Sequence, residues 1–385
     1  MQEYTIRSSH ASTIAIDQHA RSIAMCALDI STGETRSTKL AGCPTAGDIV
    51  GWAAAWATPP MRFVYESGPC GFQLARDIRA LGPDCDMIAV SSIARSVDDK
   101  RLKDDRRDAA SLLGAVTTPG SKCRAVWVPS EEAEAARDLV RAYFDMVAAT
   151  KRLKPQFSGM LLRHGYVWNE RTPAGNLRGA WTREYLKWAR AIELPEQAEN
   201  DALGFYLEGV VTSMGKCDPM RGKLSDLCGG PRFKPYVDAL TRLKGVDEIT
   251  AIAFAATVDD FARFKNGRSV SKYFGFTPTR SDSGEKTGRN GSITKAGDAT
   301  VRRAIVEGLA SLPNYNGSPK RPRKGHEVSG AIEAEAVKCN IRMRKRYRHL
   351  VKAGKKPNVA KTACASEAAR NMWVLGLMAK RELEG

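Results

Sequence analysis

The stretch STIAIDQHARSIAMCALDISTGETRSTKL, residues 12–40, has the pattern of three short β-strands joined by tight turns. Apolar and β-branched residues fill 12–16 and end at Asp17, Ser22–Asp29 alternates, and 35–40 returns after the turn Ser-Thr-Gly-Glu. Alternation with a period of two places every second side chain on the same face of a sheet. The stretch therefore predicts an antiparallel start to a β-sheet.

Strands and helices alternate in the pattern that follows. A short apolar strand at 62–65 ends at Glu66, and 72–81 has helical spacing. Residues 87–90 predict another strand, and 103–116 predict a helix. Three hairpin-like strands followed by alternating β and α elements are typical of a mixed α/β domain of about one hundred residues.

The rest of the chain is predominantly helical. Residues 129–163 open with Ser130 and a run of acids, as helix N-termini do, and keep an apolar stripe that can pack on a partner helix. Residues 164–235 have a mixed pattern of helices and connections. Further helices are predicted at 298–312, 331–350 and 361–378. We therefore expect an α/β domain followed by an all-α part.

A turn within this part has two interpretations. Residues 243–250, LKGVDEIT, have the shape of a helix-hairpin-helix turn, in which Gly245 reverses the chain. Backbone N–H groups in such a turn can face a phosphate without reading base sequence. A plain connection between two helices has the same pattern, so both interpretations stay open.

Positive charge is concentrated in the last third of the chain. Residues 261–385 contain 27 Lys and Arg against 10 Asp and Glu, whereas the remaining residues contain 33 of each. The whole net charge of +17 therefore lies in this part. Such an excess suits a polyanion, and nucleic acid is the commonest one, although a solvated basic surface or a contact with anionic lipid would have the same composition.

The composition argues against several classes of protein. The nine cysteines include no C-x-x-C pair, and the five histidines do not cluster, so we expect reduced thiols and no structural zinc site. No secretory signal pattern is present near the start, and the most apolar stretch, 249–258, is too short to cross a bilayer. We expect a cytoplasmic protein without a membrane partner.

Four carboxylates stand at positions that a fold of this kind brings together. Asp17 and Glu66 end predicted strands, and Asp105 and Asp108 lie three residues apart on a predicted helix, where both can point to one side. Mg²⁺ prefers oxygen ligands, and a pair of such ions can clamp the attacking and leaving oxygens of a phosphoryl transfer. Each acid alone is also compatible with a strand-end cap or a solvated surface group.

The three segments that carry these acids resemble the DEDD transposases of the insertion-sequence 110 family. The segments are AID at 15–17, YESG at 65–68 and KDDRRDA at 103–109. The resemblance implies an N-terminal domain like the Holliday-junction resolvases of the ribonuclease H-like fold. It also implies that the acids bind Mg²⁺. Asp104 stands where the family has a small or polar residue and is the alternative third acid, but the K-x-D-x-x-D-A spacing favours Asp105.

A second block, near the C-terminus, resembles the same family. It consists of FGFTP at 274–278, SG at 283–284 and GSITKAGD at 291–298, where Asp298 replaces the usual Asn. The resemblance makes Ser283 the nucleophile, with Ser281 as the fallback because Asp282 replaces one of the family's two serines. The local sequence alone favours an ordinary turn residue at Ser283, and it is the resemblance that favours the nucleophile. Basic residues that can hold a phosphate surround this block: Arg280, Lys286, Arg289, Lys295, Arg302 and Arg303.

The resemblance divides the chain into three domains. It implies a ribonuclease H-like DEDD catalytic domain at 1–126 and a coiled-coil-like helical spacer, a candidate oligomerisation region, at 127–235. A basic, mainly helical serine transposase domain with the helix-hairpin-helix then occupies 236–385. The implied activity is cutting and rejoining of DNA with Mg²⁺ and a serine nucleophile, guided by an RNA from the element itself. Because two active sites must act on two duplexes, we expect a dimer or a tetramer.

Two other functions fit part of the pattern. A metal-dependent junction nuclease would use water as the nucleophile and Ser283 as a structural residue. A non-catalytic nucleic-acid-binding protein would keep the basic third of the chain and have vestigial carboxylates. A covalent protein–DNA adduct separates the first function from a serine transposase, and metal-dependent cleavage separates the second.

Overall fold

The computed structural model describes residues 10–93, 105–120, 122–280, 290–318, 320, 322 and 324–385, without the side chains of Asp105, Arg106, Arg280 and Asn290. The chain divides into two compact units, Met1–Ser130 and Glu131–Gly385. All nine cysteines are free thiols, as predicted. Within the described ranges, no helix combines the length and the apolar character that a membrane span requires.

The first unit contains a five-stranded mixed sheet. Its strands are β1 (Ser12–Gln18), β2 (Ser22–Asp29), β3 (Thr35–Ala41), β4 (Met61–Glu66) and β5 (Asp84–Ile88). The order across the sheet is β3-β2-β1-β4-β5. The first three strands are antiparallel neighbours, and β4 lies parallel to both β1 and β5. The predicted antiparallel start is confirmed, with the predicted bounds for β2.

Helices cover both faces of this sheet. These helices are α1 (Ala46–Ala54), α2 (Gln73–Ala80) and α3 (Asp105–Thr117). On one face, Ile14 and Phe63 pack with residues of α1 and α2. On the other face, Ala15 and Val64 pack with residues of α3. The alternation of the strands thus supplies two separate apolar layers, which explains why β1 and β4 are apolar at consecutive positions.

Two elements of this unit differ from the sequence-based expectation. The helix α1 was not predicted, although Thr45 and Asp48 form a capping box at its start. The strand β5 begins at Asp84 rather than at residue 87. Asp84 and Asp86 are residue types typical of turns, so the apolar pattern indicates a later start. In the structure, Asp86 forms an ion pair with Arg62 on the neighbouring strand β4, and the extended segment includes both acids.

The second unit is built almost entirely of helices in the residues that the structure describes. They are α4 (Glu131–Arg163), α5 (Arg183–Arg190), α6 (Gln197–Gly229), α7 (Lys234–Leu240), α8 (Glu248–Val258), α9 (Gly267–Tyr273), α10 (Ala299–Gly308), α11 (Gly330–Lys352) and α12 (Pro357–Glu384). Two short strands, β6 (Pro278–Arg280) and β7 (Asn290–Ile293), pair antiparallel. An α/β part followed by a helical part confirms the predicted class at this coarse level.

The long helices α4 and α6 contribute to two separate cores. Near one end, Val140 and Leu224 belong to the large core that also contains α7 to α12. Towards the other end, Phe157 and Leu207 pack in a smaller, aromatic-rich core with α5. The helical spacer of the sequence analysis, 127–235, therefore contributes to the large core of the C-terminal helices and forms the smaller core by itself.

The helix α8 is the centre of the large core. Every residue of 249–258 is buried, and a helix that is apolar on all sides needs protein around its whole circumference. At its C-terminal end, Arg137 of α4 donates from Nε to the Ala256 carbonyl and from Nη2 to the Thr257 carbonyl, both at 2.9 Å. Burial lowers the pKa of Arg137. The guanidinium thus satisfies carbonyls that have no partner within the helix.

Replacing Arg137 by Met will lower the free energy of unfolding by about 1 to 3 kcal/mol, because it takes the Arg137 donor from the buried Ala256 carbonyl and removes the shortest hydrogen bond to the Thr257 carbonyl, while keeping most of the side-chain volume. Urea unfolding of the full chain measures this loss. Arg141, one turn further along α4 and 54% exposed, is the control, and Arg141→Met should change the unfolding free energy by less than about 0.5 kcal/mol. Equal losses in the two variants would contradict the proposed capping.

Candidate functional site

Asp17 and Glu66 lie on adjacent parallel strands. The pairing of β1 with β4 runs in register to Ile16 opposite Tyr65, and each acid is the next residue of its strand. Ala15 and Val64, two positions before the acids, lie under α3. Because residues two positions apart share a face, Asp17 and Glu66 both belong to the face that α3 covers.

The helix α3 starts with the other two predicted acids. Asp105 is its first residue, and the half-buried Asp108 directly precedes the buried Ala109. Ala109, Leu112 and Val116 form the stripe that packs on the sheet. Asp108 lies one residue before Ala109 and four before Leu112, so it is placed on the sheet-facing side of the first turn, and Asp105 precedes Ala109 by four residues in the sequence. Asp104, the alternative third acid, lies outside the described residues.

Two hydrogen bonds to backbone carbonyls hold the end of β4 in place. The Ser67 N–H donates to the Ile88 carbonyl at 2.8 Å, and the Tyr65 hydroxyl donates to the Gly71 carbonyl at 3.0 Å. Asp17 also has a polar neighbour that the sequence analysis missed. His19 Nε2 lies 3.0 Å from Asp17 Oδ2. The D-x-H spacing at the end of the first strand is the sequence pattern from which this contact could have been predicted.

The four acids suit a hard cation in chemistry, since they supply only oxygen donors. Within the described part of the chain, however, no group of three or more His, Cys, Asp or Glu side chains is arranged to hold a metal ion. Nothing is described of the Asp105 side chain, which is one of the four predicted ligands. Convergence of the four carboxylates therefore stays a prediction.

Ser283 lies outside the described residues, as do the fallback Ser281 and the basic residues Lys286 and Arg289. The segment 281–289 connects β6 to β7, and its flanking residues Arg280 and Asn290 are paired with each other.

Two glycines hold the base of this strand pair. Gly275 and Gly297 have φ values of +69° and +68°. A Cβ on Gly275 would overlap the backbone of Ala296, and a Cβ on Gly297 would overlap the Tyr273 carbonyl. Glycine is required here both by the left-handed backbone and by the close approach of 273–275 to 295–297.

The described basic residues near this hairpin differ in their surroundings. Arg302 is half-buried, and its Nη1 donates to the carbonyls of Phe274 at 3.1 Å and Ala296 at 2.7 Å. Burial lowers the pKa of Arg302. Arg303 and Lys295 are exposed, and the side chain of Arg280 is not described. Arg302 thus stabilises the hairpin base, whereas Arg303 and Lys295 are accessible to a ligand.

The turn between α7 and α8 packs against the protein itself. Gly245 has a φ of +87°, and its backbone lies so close to Gly308 that a Cβ on either glycine would overlap the other's carbonyl. The Lys244 N–H donates to Asn340 Oδ1 at 2.8 Å, and the Val246 N–H donates to the Leu243 carbonyl at 3.2 Å. These N–H groups have intramolecular partners, which favours the interpretation as a helix connection.

Asp298 has a structural role that explains its departure from the family pattern. Its Oδ1 accepts hydrogen bonds from the Thr300 N–H at 2.8 Å and the Val301 N–H at 3.0 Å at the start of α10. Asp and Asn are about equally good at a helix N-cap, so the exchange preserves the cap.

Comparisons with known proteins match the chain to transposases, both within its helical unit and over most of its length. Residues 237–321 match the family model described as Transposase IS116/IS110/IS902 family. The chain is 36% identical over 321 residues to the putative transposase y4qE of Sinorhizobium fredii (strain NBRC 101917 / NGR234), covering 83% of this chain and 76% of that protein.

Two further relatives are more distant. One is the transposase for insertion sequence element IS1533 of Leptospira borgpetersenii, 25% identical over 76% of this chain and 82% of its own length. The other is a probable family 20 transposase of Pseudomonas aeruginosa, 24% identical over 82% of this chain and 84% of its own length. The similarity to all three relatives thus extends over most of the chain.

Proposed function

This chain belongs to the IS116/IS110/IS902 family of transposases, and from that premise we propose that it cuts and rejoins the DNA of an insertion sequence with two groups of residues. The first group is the carboxylates Asp17, Glu66, Asp105 and Asp108, which would hold Mg²⁺. The second is Ser283, the nucleophile. One observation supports the proposal most: Asp17 and Glu66 lie next to each other on the face of the sheet where α3 starts.

In the proposed reaction, Ser283 attacks a DNA phosphate that lies beside the carboxylates, which would hold Mg²⁺ there. The serine loses its hydroxyl proton and forms an Oγ–P bond, while the bond from phosphorus to the leaving sugar oxygen breaks and that oxygen gains a proton. Bound Mg²⁺ would neutralise charge that develops on the phosphate. Arg303 and Lys295, both exposed, can add positive charge beside the hairpin that carries Ser283.

The finer fold assignment is part of the proposal. Three antiparallel strands followed by alternating helices and parallel strands support a ribonuclease H-like catalytic domain in the first unit. A guide RNA encoded by the element and a dimer or tetramer follow from the family resemblance. The basic C-terminal third is compatible with RNA as well as with DNA.

The contribution of 261–385 to nucleic-acid binding has to be measured with charge variants. The large core joins Leu240 and Phe254, before that boundary, to Ile305 and Met372 after it. A fragment that ends near Asp260 would therefore lack much of its core, and its weak binding would report unfolding.

Strand transfer by the full chain tests the proposed function. A supercoiled plasmid that carries the gene, the DNA on both of its sides and a promoter for any RNA encoded there is incubated with the protein. We expect a product in which the element ends are joined, and we expect it to disappear when Mg²⁺ is chelated. Failure to form this product would overturn the proposal. Cleavage without a protein–DNA adduct would favour the water-dependent junction nuclease, and binding without cleavage would favour the non-catalytic protein.

A further inference from the structure

The last two helices of the chain form an antiparallel hairpin whose tip contains no buried residue. Met343 is the last buried residue of α11, and Ala360 is the first buried residue of α12. None of residues 344–359, here called the hairpin tip, is buried, and residues 351–359 are all exposed. The C-terminal part of α11 thus adds no buried residue to the core, and Tyr347 alone in the hairpin tip packs against the core, half-buried.

This part of the chain contains only positive charge. Residues 336–366 include ten Lys and Arg and neither Asp nor Glu. The nearest acids, Glu335 and Glu367, stand at its two ends. An uninterrupted charge of one sign on a folded hairpin creates a local potential that attracts a polyanion and repels other cationic surfaces.

The acids at the two ends neutralise a subset of these cations. Glu367 is buried and pairs with both Arg342 and Arg346, with Arg346 Nη1 3.1 Å from Glu367 Oε2. Lys338 Nζ lies 3.7 Å from Glu335 Oε2. These pairs connect the two helices or neighbouring turns of α11, so these cations have a structural role.

Three other cations of α11 form a stripe that faces solvent. Lys345, Arg348 and Lys352 are all exposed, and their spacing of three and four residues places them on one side of the helix. Among the described residues, none of the three has a recorded ion pair. Cations held in a row on a helix, without acids nearby, are arranged to contact successive phosphates.

We propose that this stripe binds the phosphate backbone of duplex DNA. The inference rests on the proposed function, because it specifies one of the DNA-binding surfaces that a transposase needs. Residues 344–359 include no exposed aromatic ring other than His349, whereas single-strand binders stack bases on aromatic side chains. The apolar face of α11 is buried against the protein and is not available for insertion into a lipid surface. The exposed side of an α-helix can face the major groove of B-form DNA, whereas the major groove of an RNA duplex is too narrow.

The test compares two variants of the full chain that lose the same charge. The first is Lys345→Gln with Arg348→Gln and Lys352→Gln. The matched control replaces three exposed lysines of α5 and α6: Lys187→Gln, Lys216→Gln and Lys223→Gln. Affinity for a duplex DNA is measured between about 50 and 200 mM salt. We expect the slope of log affinity against log salt to become less steep by about 2 to 3 in the tip variant, because each lost phosphate contact accounts for about 0.9.

The control should keep the slope of the unmodified protein. An equal change in the two variants, or no change in either, would overturn the proposed surface. A loss of the same size on single-stranded DNA or on duplex RNA would overturn the choice of duplex DNA. Unfolding by urea verifies that both variants are folded.

Failure of this inference is distinguishable from failure of the proposed function. If the unmodified protein joins element ends and the tip variant keeps its salt slope, the function stands and the surface lies elsewhere. If the salt dependence of DNA affinity becomes less steep in the tip variant but the unmodified protein does not join the element ends, the DNA-binding surface stands and the proposed chemistry is wrong.

Discussion

Replacing Asp17 by Asn will lower Mg²⁺-dependent DNA cleavage about a thousandfold. The substitution keeps the size and shape of the side chain but removes the negative charge that would hold the metal ion. A metal ion contributes several kcal/mol to stabilising charge in a phosphoryl-transfer transition state, and about 4 kcal/mol corresponds to a factor of about a thousand in rate. Single-turnover cleavage of a labelled DNA duplex measures this change.

The control for Asp17→Asn is Asp77→Asn. Asp77 is exposed on α2, which packs on the opposite face of the sheet, and it accepts a hydrogen bond from Gln73. This variant should cleave at the rate of the unmodified protein, and Glu66→Gln should lose activity as Asp17→Asn does. Cleavage at the normal rate by folded Asp17→Asn protein would exclude the carboxylate site.

The same assay identifies the third acid. If Asp105 is a ligand, Asp105→Asn should lose cleavage while Asp104→Asn keeps it. The reverse result would assign the role to Asp104 and shift the family register by one residue. In both variants the affinity for DNA should change little, because the basic surface is unaltered.

Replacing Ser283 by Ala will abolish a covalent protein–DNA species. The hydroxyl oxygen is the only heavy atom removed, and without it no Oγ–P bond can form. Protein, Mg²⁺, labelled DNA and RNA transcribed from the flanking sequence are incubated and then denatured. Label that stays with the protein in a denaturing gel measures the adduct, which the unmodified protein should form.

Ser281→Ala is the matched control, since it makes the same change two residues earlier. It should form the adduct as the unmodified protein does. An adduct that persists in Ser283→Ala and disappears in Ser281→Ala would make Ser281 the nucleophile. If strand transfer survives both substitutions, water is the better candidate for the attacking group.

The placement of Asp17 and Glu66 could be predicted because it depends on local rules. Each acid directly follows a run of apolar, β-branched or aromatic residues, and parallel neighbouring strands end at the same edge of a sheet. The register that makes the two acids neighbours also follows from which side chains have to be buried. No local pattern relates Ser283 to these acids, because the two segments lie far apart in the sequence.

The long helix α6 shows why part of the fold could not be predicted. It contains Pro219 and several glycines, residues that lower intrinsic helix propensity, and its apolar stripe is weak. Packing along α4 supplies the stability that the local sequence lacks. The turn at Gly245 is a related case, because the glycine meets a packing requirement set by Gly308, more than sixty residues away.

Arg137 joins α4 to α8 by its hydrogen bonds to the carbonyls of Ala256 and Thr257. Arg137 belongs to a helix of 33 residues whose other end packs in the aromatic-rich core, and its guanidinium holds the C-terminal end of α8. The carbonyl of Thr257 also accepts from the hydroxyl of Tyr273, which immediately precedes the glycine-packed base of the serine hairpin. Arg137 and Tyr273 therefore both donate to the Thr257 carbonyl, so the end of α8 connects the long helix α4 to the base of the β6–β7 hairpin.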